Sequence, residues 1–137
     1  MKYILMLALV LASSSALAQT KFCAGPLINR MEYNSVKFLV VYSDHVTLQL
    51  RTLEPQYYAD PAPINLTKVV NGTEDFAMYR GREPVAPTYN GRNGIELDIF
   101  PASSDKITVV LTREVGGPAT RTFQASQSLC SQPDEVR

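Results

Sequence analysis

The chain has 137 residues, with 13 Lys and Arg against 13 Asp and Glu, one His and no Trp. That length holds one domain with a single core. The charge balance excludes a general nucleic-acid binder, which needs a strongly basic face to release counterions, and it removes electrostatic docking on anionic lipid.

Residues 1–18 read as a secretory signal. Lys2 supplies the positive start, Ile4 to Ala12 an apolar run, and Ala16-Leu17-Ala18 a small-residue cleavage motif, so Gln19 is the expected first mature residue. The run is too short to span a bilayer, and no later stretch approaches the ~20 apolar residues a membrane helix needs. A periplasmic or secreted protein is expected, with residues 19–137 forming one domain and a polar tail that frays from about Ser131. Cys23 and Cys130 are the only cysteines. In an oxidising compartment they are expected to pair, closing almost the whole domain into one loop.

The mature chain is rich in Val, Ile, Thr, Tyr and Phe and is punctuated by Pro, Gly and Asn, the pattern of an all-β protein. Pro26 to Asn34 is the best helical candidate, with Pro26 suited to a first helical position. Val36 to Tyr42 is apolar on both faces and reads as a central, covered strand. Val46 to Leu53 alternates, with Val46, Leu48 and Leu50 on one face and Thr47, Gln49 and Arg51 on the other. Ile64 to Val70 and Thr73 to Tyr79 flank Asn71-Gly72, the strongest short hairpin signal. A two-residue turn there predicts that Thr67 faces Phe76 and that Lys68 faces Asp75. Ile95 to Phe100, Lys106 to Val115 and Thr120 to Ala125 complete the pattern. About seven strands joined by short connections predict antiparallel neighbours, as a β-sandwich, slightly preferred, or a small up-and-down barrel.

Motifs for catalysis are missing. His45 is the only histidine, and its neighbour Asp44 gives no convergent triad. Glu96 and Asp98 share one strand face but fit the solvated side of an amphipathic strand. No Cys/His spacing suits zinc, no acidic loop suits calcium, and no nucleotide fingerprint occurs. The expectation is a non-catalytic protein without metal or cofactor. Asn65-Leu66-Thr67 and Asn71-Gly72-Thr73 are sequons that matter only in a eukaryotic secretory pathway.

The segment that stands out is Tyr79 to Gly94, the longest stretch without strand pattern. Long loops in compact domains are often functional. This one carries Tyr79, Arg80, Arg82, Tyr89 and Arg92, residue types enriched at binding hot spots, with Pro84 and Pro87 to stiffen it. A second aromatic loop, Glu54 to Pro63, holds Tyr57 and Tyr58. Both loops join consecutive hairpins and are expected on one rim. Size, leader, single disulfide and strand content resemble those of small exported inhibitor and adhesion domains at the level of architecture only. The leading expectation is a module that binds another exported protein, as an enzyme inhibitor for example, through the Tyr79–Gly94 loop. The alternatives are a glycan or small-ligand binder using the tyrosines and a structural envelope component.

Overall fold

A computed structural model describes residues 19–24, 36–52, 56–70 and 76–132. Eight antiparallel strands close into an up-and-down barrel: β1 (Thr20–Ala24), β2 (Val36–Val41), β3 (His45–Leu50), β4 (Ile64–Val70), β5 (Ala77–Arg82), β6 (Gly94–Pro101), β7 (Lys106–Arg113) and β8 (Ala119–Ser126). A 3₁₀ turn, Ser128–Ser131, follows β8. The fold is therefore the barrel and not the sandwich, with one strand more than the sequence suggests. The extra strand is β1, only five residues long, too short to display an alternation. It closes the ring by pairing with β2 along Thr20 to Cys23 and with β8 at Cys23–Ser126 and Ala24–Ala125.

The interior is filled by alternate residues of every strand. Leu39, Val46, Leu48, Leu66, Leu97 and Val109 are fully buried, as expected for an eight-stranded barrel, whose lumen is just wide enough for side chains. The alternation expected for β3, β6 and β7 is observed. Outer positions carry Thr47, Thr67, Arg80, Glu96 and Thr112. This apolar-in, polar-out order is the reverse of a membrane-spanning barrel. No helix among the described residues is long and apolar enough to cross a membrane.

β2 lies between β1 and β3 and is covered on both faces as expected, with Leu39 in the lumen and the Lys21 ammonium over the outward Phe38 ring at 4.3 Å. Two local expectations are corrected. The register expected for a two-residue Asn71-Gly72 turn is overturned: Thr67 faces Arg80 and Lys68 faces Tyr79, with an irregularity between Lys68 and Val70. The strand expected at Thr73 to Tyr79 is β5, Ala77–Arg82, so the connection is longer than two residues. The pairing is displaced by four residues from the expected register, an even number, so Tyr79 faces inward in either one; it is buried beside Leu97, and the displacement accompanies the longer connection and the irregularity between Lys68 and Val70. Arg80, Gly81 and Arg82 accordingly belong to a strand. Residues 1–18, the helical candidate Pro26 to Asn34, the Asn71-Gly72 turn itself and the tail from 133 lie outside the described residues.

Cys23 and Cys130 form the expected disulfide. It ties the 3₁₀ turn to the outer wall at the β1–β8 seam. Ser126 is buried beneath that turn, and its hydroxyl accepts from the Leu129 amide at 3.3 Å.

Candidate functional site

The up-and-down order places the β3–β4 connection (51–63), the β5–β6 connection (83–93) and the β7–β8 connection (114–118) at one end of the barrel. The two aromatic loops thus share a rim.

The β5–β6 loop is held at its feet. Glu83 is buried at the barrel mouth, and the Arg113 guanidinium donates to both its carboxylate oxygens at 2.9 and 2.6 Å. The Glu83 amide donates to the Asn93 carbonyl and the Asn93 carboxamide donates back to the Glu83 carbonyl, each at 2.8 Å. Further out, the Tyr89 amide donates to Ala86 O at 2.9 Å, closing a turn whose second residue is Pro87, where the fixed φ of proline is suited. The Tyr89 hydroxyl donates to Arg92 O at 3.2 Å and accepts from the Gly116 amide at 3.3 Å, stapling this loop to the β7–β8 turn. A Cβ on Gly91 would lie 2.5 Å from the Tyr89 hydroxyl, so any larger residue there displaces the tyrosine ring from this staple.

These constraints leave Pro84-Val85-Ala86-Pro87-Thr88 as one continuous exposed ridge, flanked by exposed Arg82 and Arg92. Neither arginine has an ion pair among the described residues. The single carboxylate of the loop, Glu83, is neutralised inside the mouth, so the charge presented outward is cationic.

The β3–β4 loop is anchored by Asp60. One carboxylate oxygen accepts the Thr52 amide at 3.0 Å and the other the Lys37 ammonium at 2.9 Å. The Thr52 amide and the Lys37 side chain together hold the Asp60 carboxyl below its ordinary range. Gln49, on the outer face of β3, donates to Pro61 O at 2.8 Å and is covered by this loop. Tyr57 and Tyr58 project from it, 75% and 66% exposed. With Val85 they make three of the four exposed large hydrophobics among the described residues; Val69 is the fourth.

The sequence-predicted residues therefore divide. Arg82, Arg92, Tyr57 and Tyr58 are exposed on or beside the two loops. Tyr89 is a positioning residue, half-buried. Arg80 stands on the outer wall, its guanidinium donating to Glu96 at 2.8 Å. Tyr79 lies in the lumen, 2% exposed, where burial pushes its phenol up from the ordinary value. Sequence reasoning missed Glu83, Asn93, Arg113 and Asp60, which shape the loops, and Val85, which tops the ridge. Glu83 and Arg113 are 30 residues apart, a separation at which no sequence pattern links them.

The other chemistry-bearing residues lie elsewhere. Asp44 and His45 contact each other at 2.7 Å in the β2–β3 turn at the opposite end, where the imidazole stacks on Tyr42. Glu96 and Asp98 face outward on β6. One Asp98 oxygen is buried and has no hydrogen-bond partner, and desolvation, reinforced by nearby Glu96 and opposed by Arg80, pushes this carboxyl up. A groove of about 290 Å³ beside the rim is lined by Arg80, Gly94, Glu96, Thr112 and Glu114. Within it Arg80 pairs with Glu96, and the Glu114 carboxylate accepts the Gly94 amide, so one net negative charge remains among its lining residues. No cluster of metal-ligating side chains occurs among the described residues.

Fold and rim together define a small disulfide-bonded barrel with a filled core and two structured loops at one end. The chain matches no known family model, and no curated protein and no solved structure is significantly similar to it.

Proposed function

We propose that this protein is an exported, non-catalytic binding module that docks another exported protein through the rim of the β3–β4 and β5–β6 loops. The observation that carries the reading is the concentration of exposed apolar surface on those loops, next to two outward cations. A loop already fixed by proline, an ion pair and the Tyr89 staple loses little conformational freedom on binding, which is how rigid inhibitor loops gain affinity. Inhibition of an enzyme by insertion of the Pro84–Thr88 ridge is the form of docking this geometry suits best.

The filled lumen lends little to a small-ligand reading, since ligand sites are normally concave and largely apolar. The adjacent exposed tyrosines favour a glycan as the second reading, because their faces suit sugar rings. Assembly by edge-strand addition has less support, as every described strand is paired on both sides.

The test is affinity capture from the exported fraction with the mature, oxidised protein beside the Arg82→Glu/Val85→Asp/Arg92→Glu variant. None of these three side chains holds the loop in place, so the circular dichroism spectrum is expected to be unchanged. A protein retained by wild type and lost by the variant supports the rim. Equal retention by both refutes it. Retention by neither, together with thermal stabilisation by an oligosaccharide that Tyr57→Ala/Tyr58→Ala abolishes, transfers the assignment to glycan binding.

A further inference from the structure

Two Asn-Gly pairs lie three residues apart at this rim, Asn90-Gly91 and Asn93-Gly94, and the fold treats them oppositely. In an Asn-Gly pair the glycine amide nitrogen approaches the asparagine side-chain carbonyl without hindrance from a Cβ, so cyclisation depends on whether the backbone and the carboxamide are free to move. The Asn93–Gly94 pair is not free. The Asn93 carboxamide donates to Glu83 O at 2.8 Å, Asn93 O accepts the Glu83 amide at 2.8 Å, Gly94 N donates to the Glu114 carboxylate at 3.1 Å, and Gly94 O accepts the Glu114 amide at 3.0 Å. The Asn90–Gly91 pair lies between the two ends of the Tyr89–Arg92 hydrogen bond but is exposed, and among the described residues neither of its reacting groups, the Asn90 carboxamide and the Gly91 amide, makes a hydrogen bond.

We propose that Asn90 is a self-modification site, at which the folded protein converts an amide into a carboxylate while Asn93 is protected. Gly91 N loses its proton to solvent base and bonds to the Asn90 Cγ. The Cγ–Nδ2 bond breaks and ammonia leaves, taking up a proton. Water then opens the resulting succinimide at either carbonyl, leaving an aspartyl or isoaspartyl residue at position 90. No electrons are transferred and no co-reactant other than water is consumed. The product places a negative charge in the loop that carries Arg92 and follows Arg82 at the end of β5, and the isoaspartyl form also lengthens the backbone beside Tyr89. Resting on the proposed rim function, this conversion is a built-in timer that weakens partner capture as the protein ages outside the cell.

The chemical claim is tested without a partner. Folded, oxidised protein is incubated in mildly alkaline buffer and peptide-mapped by mass spectrometry with separation of aspartyl and isoaspartyl products, beside a sample unfolded in urea. In the folded protein, conversion at Asn90 is expected to exceed that at Asn93 by about tenfold or more, because each hydrogen bond holding the second pair must open first. In urea the two rates are expected to converge. Equal rates in the folded protein, or a difference that persists in urea, overturn the proposal. Glu114→Ala, which releases Gly94 N, is expected to raise conversion at Asn93 severalfold in the folded protein; an unchanged rate removes the protective role assigned to the fold. The timer is tested separately by the capture of Asn90→Asp beside wild type: equal capture overturns that consequence and leaves the chemistry standing.

Discussion

At the scale of single residues, the carboxylates titrate in opposite senses. Asp60 is held down by the Thr52 amide and Lys37, so it favours the folded state above the ordinary carboxylate pKa and loses that contribution as pH falls through its folded value. Asp98 is pushed up, so the fold binds its proton more tightly than the unfolded chain; its ionisation opposes folding increasingly as pH rises from the ordinary carboxylate pKa to its raised value, in full above that, and the penalty disappears on acidification. Asp98→Asn is therefore expected to stabilise the protein at neutral pH by a few tenths of a kcal/mol, the group being partly solvated, with no gain in acid. Urea denaturation at two pH values measures this. Glu83 has a different role. Glu83→Ala removes the bidentate acceptor of Arg113 at the barrel mouth, with an expected cost of about 2 kcal/mol and faster hydrogen exchange across residues 84–92. An unchanged exchange pattern there would show that the ion pair does not order the loop.

At the scale of elements, the weak point is the seam. Among the described residues β7 and β8 share eight register pairs, whereas β1 and β8 share two. The disulfide sits on that seam and closes a separation of 107 residues, where chain-entropy arguments give a cross-link its largest effect. Cys130→Ser, or reduction, is expected to cost about 2–5 kcal/mol. Hydrogen exchange should rise first in β1 and at Ala125–Ser126; a uniform rise instead would show that the bridge acts only on the unfolded chain. A second constraint lies where β4 and β5 meet. A Cβ on Gly81 would lie 2.7 Å from the Leu66 side chain and 3.0 Å from Asn65 O. Gly81→Ala is expected to destabilise by about 1–3 kcal/mol through overpacking, read as a lower denaturation midpoint without a change in slope.

At the scale of the whole molecule, closure decides what surface is left for function. With every described strand paired and the lumen packed, recognition is left to loops and the outer wall, and the most apolar exposed loops share one end. Binding through Arg82 and Arg92 implies that capture weakens with salt. Raising ionic strength from low to physiological should speed dissociation and slow association, the latter more, as for steered encounters. Salt-independent capture would place the recognition on the tyrosines and the Pro84–Thr88 ridge alone.

The local pattern in the chain was enough to read the β class, most strand positions, the inward faces of β3, β6 and β7, the cysteine pair and the two loops, because period-two burial and turn chemistry are written within a few neighbouring residues. Sandwich or barrel, the role of β1, the β4–β5 register, and the fates of Tyr79 and Arg80 were settled only by tertiary structure. Closure is a property of the first and last strands meeting, and five residues at one end carry no local sign of it. The β4–β5 register includes an irregularity between Lys68 and Val70 that the turn motif does not encode, and Arg80 to Arg82, which read as loop, continue β5. The rim likewise takes its shape from Glu83 meeting Arg113 and Tyr89 meeting Gly116, contacts between segments that only the closed barrel brings together.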